Sequence, residues 1–202
     1  MVAAILFRLP LVLMPLVSAT ATPTSQCQLE VLTPLALEER ALAQFTTGID
    51  RYVALHRRLE RSLAPEHLFA DPEDMFEARA ALASALRDAR PLARRGTIFT
   101  PGVAQLFRDR LETTIRRHSL DVHLAIAETW LDDELEPEVH ATLPWRFPAD
   151  LWPPIDRWPA LRASLPVLPA ELEYRFAGRS LLLIDVHANM VVDVLDAALP
   201  AF

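Results

Sequence analysis

The placement of proline restricts how this chain folds more than any other feature. Proline lacks a backbone N–H group and ends or kinks a helix, so a segment with a proline every few residues cannot form one long helix. Residues 132–170 are such a segment, and they also carry three indole side chains. Its prolines and tryptophans are Pro137, Pro144, Pro148, Pro153, Pro154, Pro159, Pro166, Pro169, Trp145, Trp152 and Trp158. We predict an ordered segment that wraps around the rest of the protein and packs its indoles there.

Other prolines mark where helices begin. Thr33-Pro34, Asp71-Pro72 and Thr100-Pro101 each put a capping residue before a proline at the first helical position. After each pair, apolar residues recur at spacings of three and four, which predicts three amphipathic helices.

The ends of these helices are marked by other residues. Arg94-Arg95-Gly96 predicts the end of the second helix, because glycine and basic residues are common there. Ser119 is predicted to cap a short fourth helix that continues to Leu131. With short connections between them, three to four helices over residues 33–131 indicate an antiparallel bundle.

The first helix carries a narrow apolar seam. A seam of this kind could pair with a second copy in a coiled coil, but partner helices in the same chain favour packing within one molecule. Its residues are Leu42, Phe45, Ile49, Tyr52, His56, Leu59 and Leu63.

The C-terminal part has the alternation of β-strands. Apolar and polar residues alternate from 171 to 176, and Ala177-Gly178-Arg179 turns the chain into a second apolar run over 180–186. A third run covers 190–195. Residues 171–195 therefore predict a small antiparallel β-hairpin or three-stranded sheet, and the chain as a whole an α+β fold that is mainly α.

The N-terminal residues 1–21 have the pattern of a signal peptide, an apolar segment followed by the small residues Ser18-Ala19-Thr20-Ala21. Because Arg8 lies inside the apolar run, a retained membrane anchor is the alternative. We expect export to the periplasm or the outside, and a soluble mature domain over residues 22–202. Cys27 is the single cysteine, so no disulfide forms within the chain.

The charge distribution argues against a role with nucleic acid. Residues 50–117 contain thirteen arginines and ten acidic residues, whereas residues 118–202 contain five arginines and fourteen acidic residues. The positive charge of the first part and the negative charge of the second partly cancel when the two pack together, so no strongly basic face results. No nucleic-acid partner is therefore expected.

Several short stretches resemble the C-terminal signature of a family of exported bacterial hypothetical proteins. These stretches are Leu172-Glu173-Tyr174-Arg175-Phe176, Gly178-Arg179, Asp185-Val186-His187-Ala188-Asn189 and Val192-Asp193. The resemblance implies export and supplies no reaction, because the family carries no assigned activity.

Polar residues after the second predicted strand form the best candidate ligand site: Asp185, His187, Asn189 and Asp193. Alternate residues of a strand share a face, so the first three could converge on a metal or a small ligand, with His123 and His140 completing the set. The alternative is that Asp185 and Asn189 bond to the backbone of a turn and that His187 faces solvent.

His56 and Glu60 are one helical turn apart and could form a general base with its orienting carboxylate. Because His56 lies in the apolar seam, a half-buried structural histidine is the favoured interpretation. Only four glycines are scattered along the chain, and no Gly-x-Ser-x-Gly or His-Glu-x-x-His motif occurs. No metal and no cofactor is therefore assigned.

Two functions remain from the sequence. The first is a non-enzymatic domain that binds another protein of the cell envelope, with Trp145, Trp152 and Trp158 as candidate contacts. The second is a metal-dependent or small-ligand-dependent enzyme, hydrolase-like, that uses Asp185 and His187. The oligomeric state is left open.

Overall fold

Three long helices form the N-terminal part of the computed structural model, which describes residues 33–63, 72–121 and 154–200. They are α1 (Pro34–Leu63), α2 (Pro72–Ala89) and α3 (Pro101–His118). Each begins at the proline that the sequence indicated, and α1 packs against both other helices. The predicted mainly helical N-terminal part is confirmed.

The predicted end of α2 is wrong. The helix stops at Ala89, before Arg94-Arg95-Gly96. Pro91 accounts for this, because proline disfavours the helical conformation of the residue before it and offers no N–H group to the helix. Residues 90–100 instead form a loop that turns at Gly96, where φ is +77°.

Ser119 ends α3 and does not begin the next helix. It adopts a left-handed conformation with φ of 47°, and its N–H group donates to the carbonyl of Ile115. The remainder of the predicted fourth helix lies outside the described residues.

The core is built around phenylalanines that join α1 to α3. The ring of Phe107 lies 4.9 Å from that of Phe45 and 5.5 Å from that of Phe99, measured between centroids. Tyr174 of the sheet meets the same Phe107 ring edge-on at 6.1 Å. Burial of each of these rings contributes roughly 1.5–3 kcal/mol to the stability of the fold. Apolar residues of the same chain therefore cover the seam of α1.

The C-terminal half of the proline-rich segment is folded as two short helical turns, a 3₁₀ helix (Ile155–Arg157) and α4 (Pro159–Ser164). The second of these packs on α3. The indole of Trp158 meets the ring of Phe176 at 5.6 Å, so it packs on the sheet. Trp145 and Trp152 lie outside the described residues.

The predicted three-stranded antiparallel sheet is confirmed, with β1 (Leu172–Ala177), β2 (Ser180–Asp185) and β3 (Met190–Leu195) in that order. Gly178 has φ of +53° in the turn between the first two strands, a conformation that glycine adopts without strain. The α+β, mainly α fold class therefore holds. Across the described ranges, no helix combines the length and apolar character needed to cross a membrane.

Candidate metal centre

One face of α1 meets the turn between β2 and β3. Tyr52, His56 and Glu60 follow one another at intervals of four residues, so their side chains lie one above the other along the helix. Asp185 is the last residue of β2, and His187 lies in the turn that follows. These five side chains form a connected polar cluster.

Asp185 is the fully buried centre of this cluster. Its Oδ2 atom accepts hydrogen bonds from the Tyr52 hydroxyl and from Nδ1 of His56, each at 2.6 Å. Its Oδ1 atom accepts from the backbone N–H groups of His187 at 3.0 Å and Ala188 at 2.8 Å. One carboxylate thus shapes the turn and orients the histidine.

His56 is completely buried, with 0% of its surface exposed. The Asp185 carboxylate can only accept, so Nδ1 of His56 carries the proton in their hydrogen bond. The other ring nitrogen, Nε2, lies 3.4 Å from Oε2 of Glu60 and makes no hydrogen bond to any described residue. Two further potential metal ligands, Glu60 and His187, are grouped with His56.

The electrostatic environment of His56 favours positive charge. Burial lowers the pKa of His56, but the hydrogen bond and charge of Asp185, together with the charges of Glu60 and Glu171, outweigh it and hold the pKa above its ordinary value. Burial and the neighbouring Asp185 charge raise the pKa of Tyr52 well above its ordinary value, so Tyr52 remains a neutral donor.

Glu60 and His187 complete the cluster from its solvent side. Oε1 of Glu60 lies 2.9 Å from Nδ1 of His187, and the two imidazole rings are 5.3 Å apart between centroids. The side chains of Glu60 and His187 are 42% and 44% exposed. One ligand atom from each of His56, Glu60 and His187 lies within 4.8 Å of the other two.

This spacing suits a small cation. Ligand atoms around one tetrahedral zinc ion, each bonded at about 2.0–2.2 Å, lie about 3.4 Å apart. The contact between His56 and Glu60 already has this length, at 3.4 Å. Glu60 and His187 are at hydrogen-bond distance, 2.9 Å, so a metal ion between them requires these partly exposed side chains to turn.

Of the four candidate ligand residues, Asp185 and His187 belong to this cluster, whereas Asp193 binds a different part of the chain. The prediction that Asp185, His187 and Asn189 share a strand face is wrong, because β2 ends at Asp185 and residues 186–189 form the turn. Asn189 has φ of +49°, a left-handed conformation that asparagine tolerates better than most residues.

Asp193 is also buried but holds a different part of the chain. Its carboxylate accepts hydrogen bonds from the backbone N–H groups of Gly96, Ile98 and Phe99 at 2.6–2.8 Å. A β-bulge in the pairing of β2 with β3 places Asp193 opposite Leu183. Asp193 therefore fixes the loop before α3 and has a structural role.

The sequence favours a structural role for His56, and the structure joins this residue with Glu60, Asp185 and His187 in one polar cluster. The carboxylate that orients His56 is Asp185, 129 residues away, and not the neighbouring Glu60. A usable signal was present, because Tyr52, His56 and Glu60 put polar atoms at helical spacing along the apolar seam. His118 is exposed at the end of α3, and His123 and His140 lie outside the described residues.

Comparisons with protein-family models, with curated proteins and with solved structures gave no match to this chain.

Proposed function

We propose that this protein binds one divalent transition-metal ion, zinc or a close equivalent, through His56, Glu60 and His187. The observation that carries the proposal is Nε2 of His56, a buried atom without a hydrogen bond, in a group with two other metal-ligating side chains. A buried polar atom without a hydrogen bond is costly, and a metal bond would remove that cost.

The donor types favour zinc over calcium or magnesium. Two imidazoles and one carboxylate suit zinc, copper, nickel and iron, whereas calcium and magnesium prefer oxygen ligands alone. Asp185 supplies the carboxylate that metal-bound histidines usually bond through their other nitrogen. Two negative charges, on Asp185 and Glu60, balance those of a divalent ion.

Thermal unfolding tests the proposal. The protein is stripped with EDTA, dialysed and melted alone or with zinc, manganese or calcium in excess. A ligand present at 100 times its dissociation constant stabilises the fold by roughly 2.7 kcal/mol, a rise of roughly 5–10 °C in melting temperature for a domain of this size. We expect this rise with zinc and none with calcium.

Variants at the exposed ligands locate the site. His187→Ala and Glu60→Gln should abolish most of the zinc-dependent rise, and His118→Ala, which removes an exposed histidine elsewhere, should retain it. A zinc response equal in all four proteins, or none in the wild type, would rule the proposed site out.

The binding of an envelope protein stays a prediction, as do export and the family resemblance. The leader, Trp145 and Trp152 lie outside the described residues. Trp158 packs against Phe176 in the described part of the chain, which gives this indole a role in stability.

A further inference from the structure

We propose that the metal held by His56, Glu60 and His187 keeps one coordination position open to solvent, and that this position takes a small oxyanion, a carboxylate or a phosphate, which the guanidinium of Arg57 also binds. This inference rests on the proposed metal site. It makes the centre a ligand-exchanging site instead of a closed structural one.

The open position follows from the number and exposure of the ligands. Three donors come together among the described residues, and zinc sites with three protein ligands keep a fourth position for water or substrate. His56 closes the protein side completely, whereas Glu60 and His187 are both partly exposed. The fourth position therefore faces the side on which those two residues meet solvent.

Arg57 is a neighbour on α1 of Glu60, one of the two partly exposed ligands. It follows His56 on α1 and precedes Glu60 by three residues, a spacing that makes side chains neighbours on a helix surface. Its Nε atom donates to Oε1 of Glu171 at 2.5 Å. The backbone carbonyl of Glu171 in turn accepts from the N–H group of Val186, the residue before His187.

The guanidinium has donors to spare. Its Nε atom is taken by Glu171, and its two terminal nitrogens make no hydrogen bond within the described residues. The side chain is 58% exposed, so an incoming ligand reaches it without a change in the fold. Guanidinium forks match the geometry of carboxylates and phosphates, which makes an oxyanion the fitting class of ligand.

The metal and Arg57 act on the ligand together. Asp185 and Glu60 offset the charge of a divalent ion, and Glu171 offsets that of Arg57. These charges of the ion and the four side chains sum to zero, so an anion is attracted mainly by the open metal position and the directed N–H donors of Arg57. We expect an affinity that depends on the shape of the anion as well as on its charge.

Cobalt substitution tests the inference, because the visible absorption of Co²⁺ changes when a ligand is added or exchanged. The protein is loaded with Co²⁺ until its absorption saturates, and sodium phosphate and sodium acetate are titrated separately at constant ionic strength. We expect saturable changes in the spectrum. The tighter of the two anions identifies the ligand as a phosphate or a carboxylate.

Two matched variants test the part assigned to Arg57. Arg57→Gln removes the guanidinium and keeps a long polar side chain, and at saturating Co²⁺ it should raise the dissociation constant of the preferred anion by roughly tenfold. Arg58→Gln removes the adjacent exposed arginine and should leave that constant at the wild-type value.

Each result decides the question. Cobalt binding with no spectral response to either anion overturns the open position but leaves the metal site intact. An anion response that is equal in wild type, Arg57→Gln and Arg58→Gln overturns the role of Arg57, and with it the inference as stated. Failure of the wild type to bind cobalt or zinc overturns the proposed function and this inference together.

Discussion

Asp185 determines which nitrogen of His56 is available. A carboxylate that accepts from Nδ1 fixes the proton on that atom and leaves Nε2 as a lone-pair donor or, at lower pH, as a second protonated nitrogen. A metal ion and a proton therefore compete for the same atom, which faces Glu60. The neighbouring Tyr52 hydroxyl keeps Asp185 itself fixed.

Replacing Asp185 by asparagine should weaken both the fold and the metal site. The asparagine N–H₂ group cannot accept a hydrogen bond. If it replaces Oδ2, Tyr52 and His56 lose their acceptor, and if it replaces Oδ1, the backbone N–H groups of the turn lose theirs. We expect Asp185→Asn to lose about 2–4 kcal/mol of unfolding free energy. Its zinc affinity should fall roughly 10–100-fold, because the second partner of a metal-bound histidine is lost.

Tyr52→Phe is the comparison for this change, because it removes one donor to Asp185 and leaves the bond between Asp185 and His56 in place. We expect the unfolding free energy of Tyr52→Phe to fall by about 1 kcal/mol and its zinc affinity to stay close to that of the wild type. Denaturant unfolding and competition with a coloured chelator measure the two quantities. Equal zinc affinity in wild type and Asp185→Asn would show that Asp185 does not orient a ligand.

At this scale the sequence pointed to two of the five side chains of the cluster. Asp185 and His187 stand out because they are polar residues at the end of an apolar strand. Such residues are common both in turns and as metal ligands. His56 did not stand out, because a histidine in an apolar seam is usually structural. Its partner lies 129 residues away, and no local pattern reports a contact at that separation.

Among the elements, β3 and the loop before α3 are joined through one side chain. Asp193 accepts from three backbone N–H groups of residues 96–99 and from that of Val194. The loop has no strand or helix to pair these donors, so the carboxylate takes the place of a ladder partner. The β-bulge beside the pair of Leu183 and Asp193 lies next to this contact.

Asp193→Asn should therefore destabilise the fold without affecting metal binding. An amide leaves at least one pair of donors without an acceptor, and we expect a loss of about 2–4 kcal/mol together with faster hydrogen exchange at Ile98 and Phe99. Asp156→Asn, at an aspartate that is 76% exposed, should change stability by less than about 0.5 kcal/mol. A marked loss of zinc affinity in Asp193→Asn would place Asp193 in the ligand site after all.

The start of a helix or the position of a turn was predictable where a single residue type determines it. Pro34 and Pro101 begin helices because the first position of a helix needs no N–H group, and Gly178 marks a turn because it adopts positive φ. The end of α2 differs from the prediction because Arg94-Arg95-Gly96 has the composition of a helix end, whereas Pro91 already stops the helix at Ala89. The bulge in β3 escaped prediction because this strand is apolar at every position except Asp193 and is buried throughout, so no alternation reveals the extra residue.

Across the molecule, polar contacts link α1 to the sheet. The first half of α1 faces α3 through apolar side chains such as Phe45, whereas its second half meets the sheet through His56 and Arg57. The candidate metal centre lies at this junction. Binding of a metal there would tie residues of α1 to the turn after β2, so the helical part and the sheet would gain stability together.

The ion pair between Arg57 and Glu171 at this junction should appear in the acid dependence of stability. The hydrogen bond and charge of Arg57 hold the pKa of Glu171 below its ordinary value. Because the pKa is lower in the folded state, the pair stabilises the fold above the ordinary glutamate pKa of about 4.3, and the contribution is lost as pH falls through the folded value. Since Arg57 is largely exposed, the contribution is small and decreases with added salt.

Denaturant unfolding of wild type and Arg57→Gln between about pH 7 and pH 3, in EDTA to remove metal, measures this contribution. We expect the difference in unfolding free energy to stay constant down to about pH 5 and then to narrow, because protonated Glu171 no longer attracts Arg57. Arg58→Gln should show no such narrowing. A difference that widened as the pH fell would mean that Arg57 stabilises the fold through contacts other than the Glu171 carboxylate.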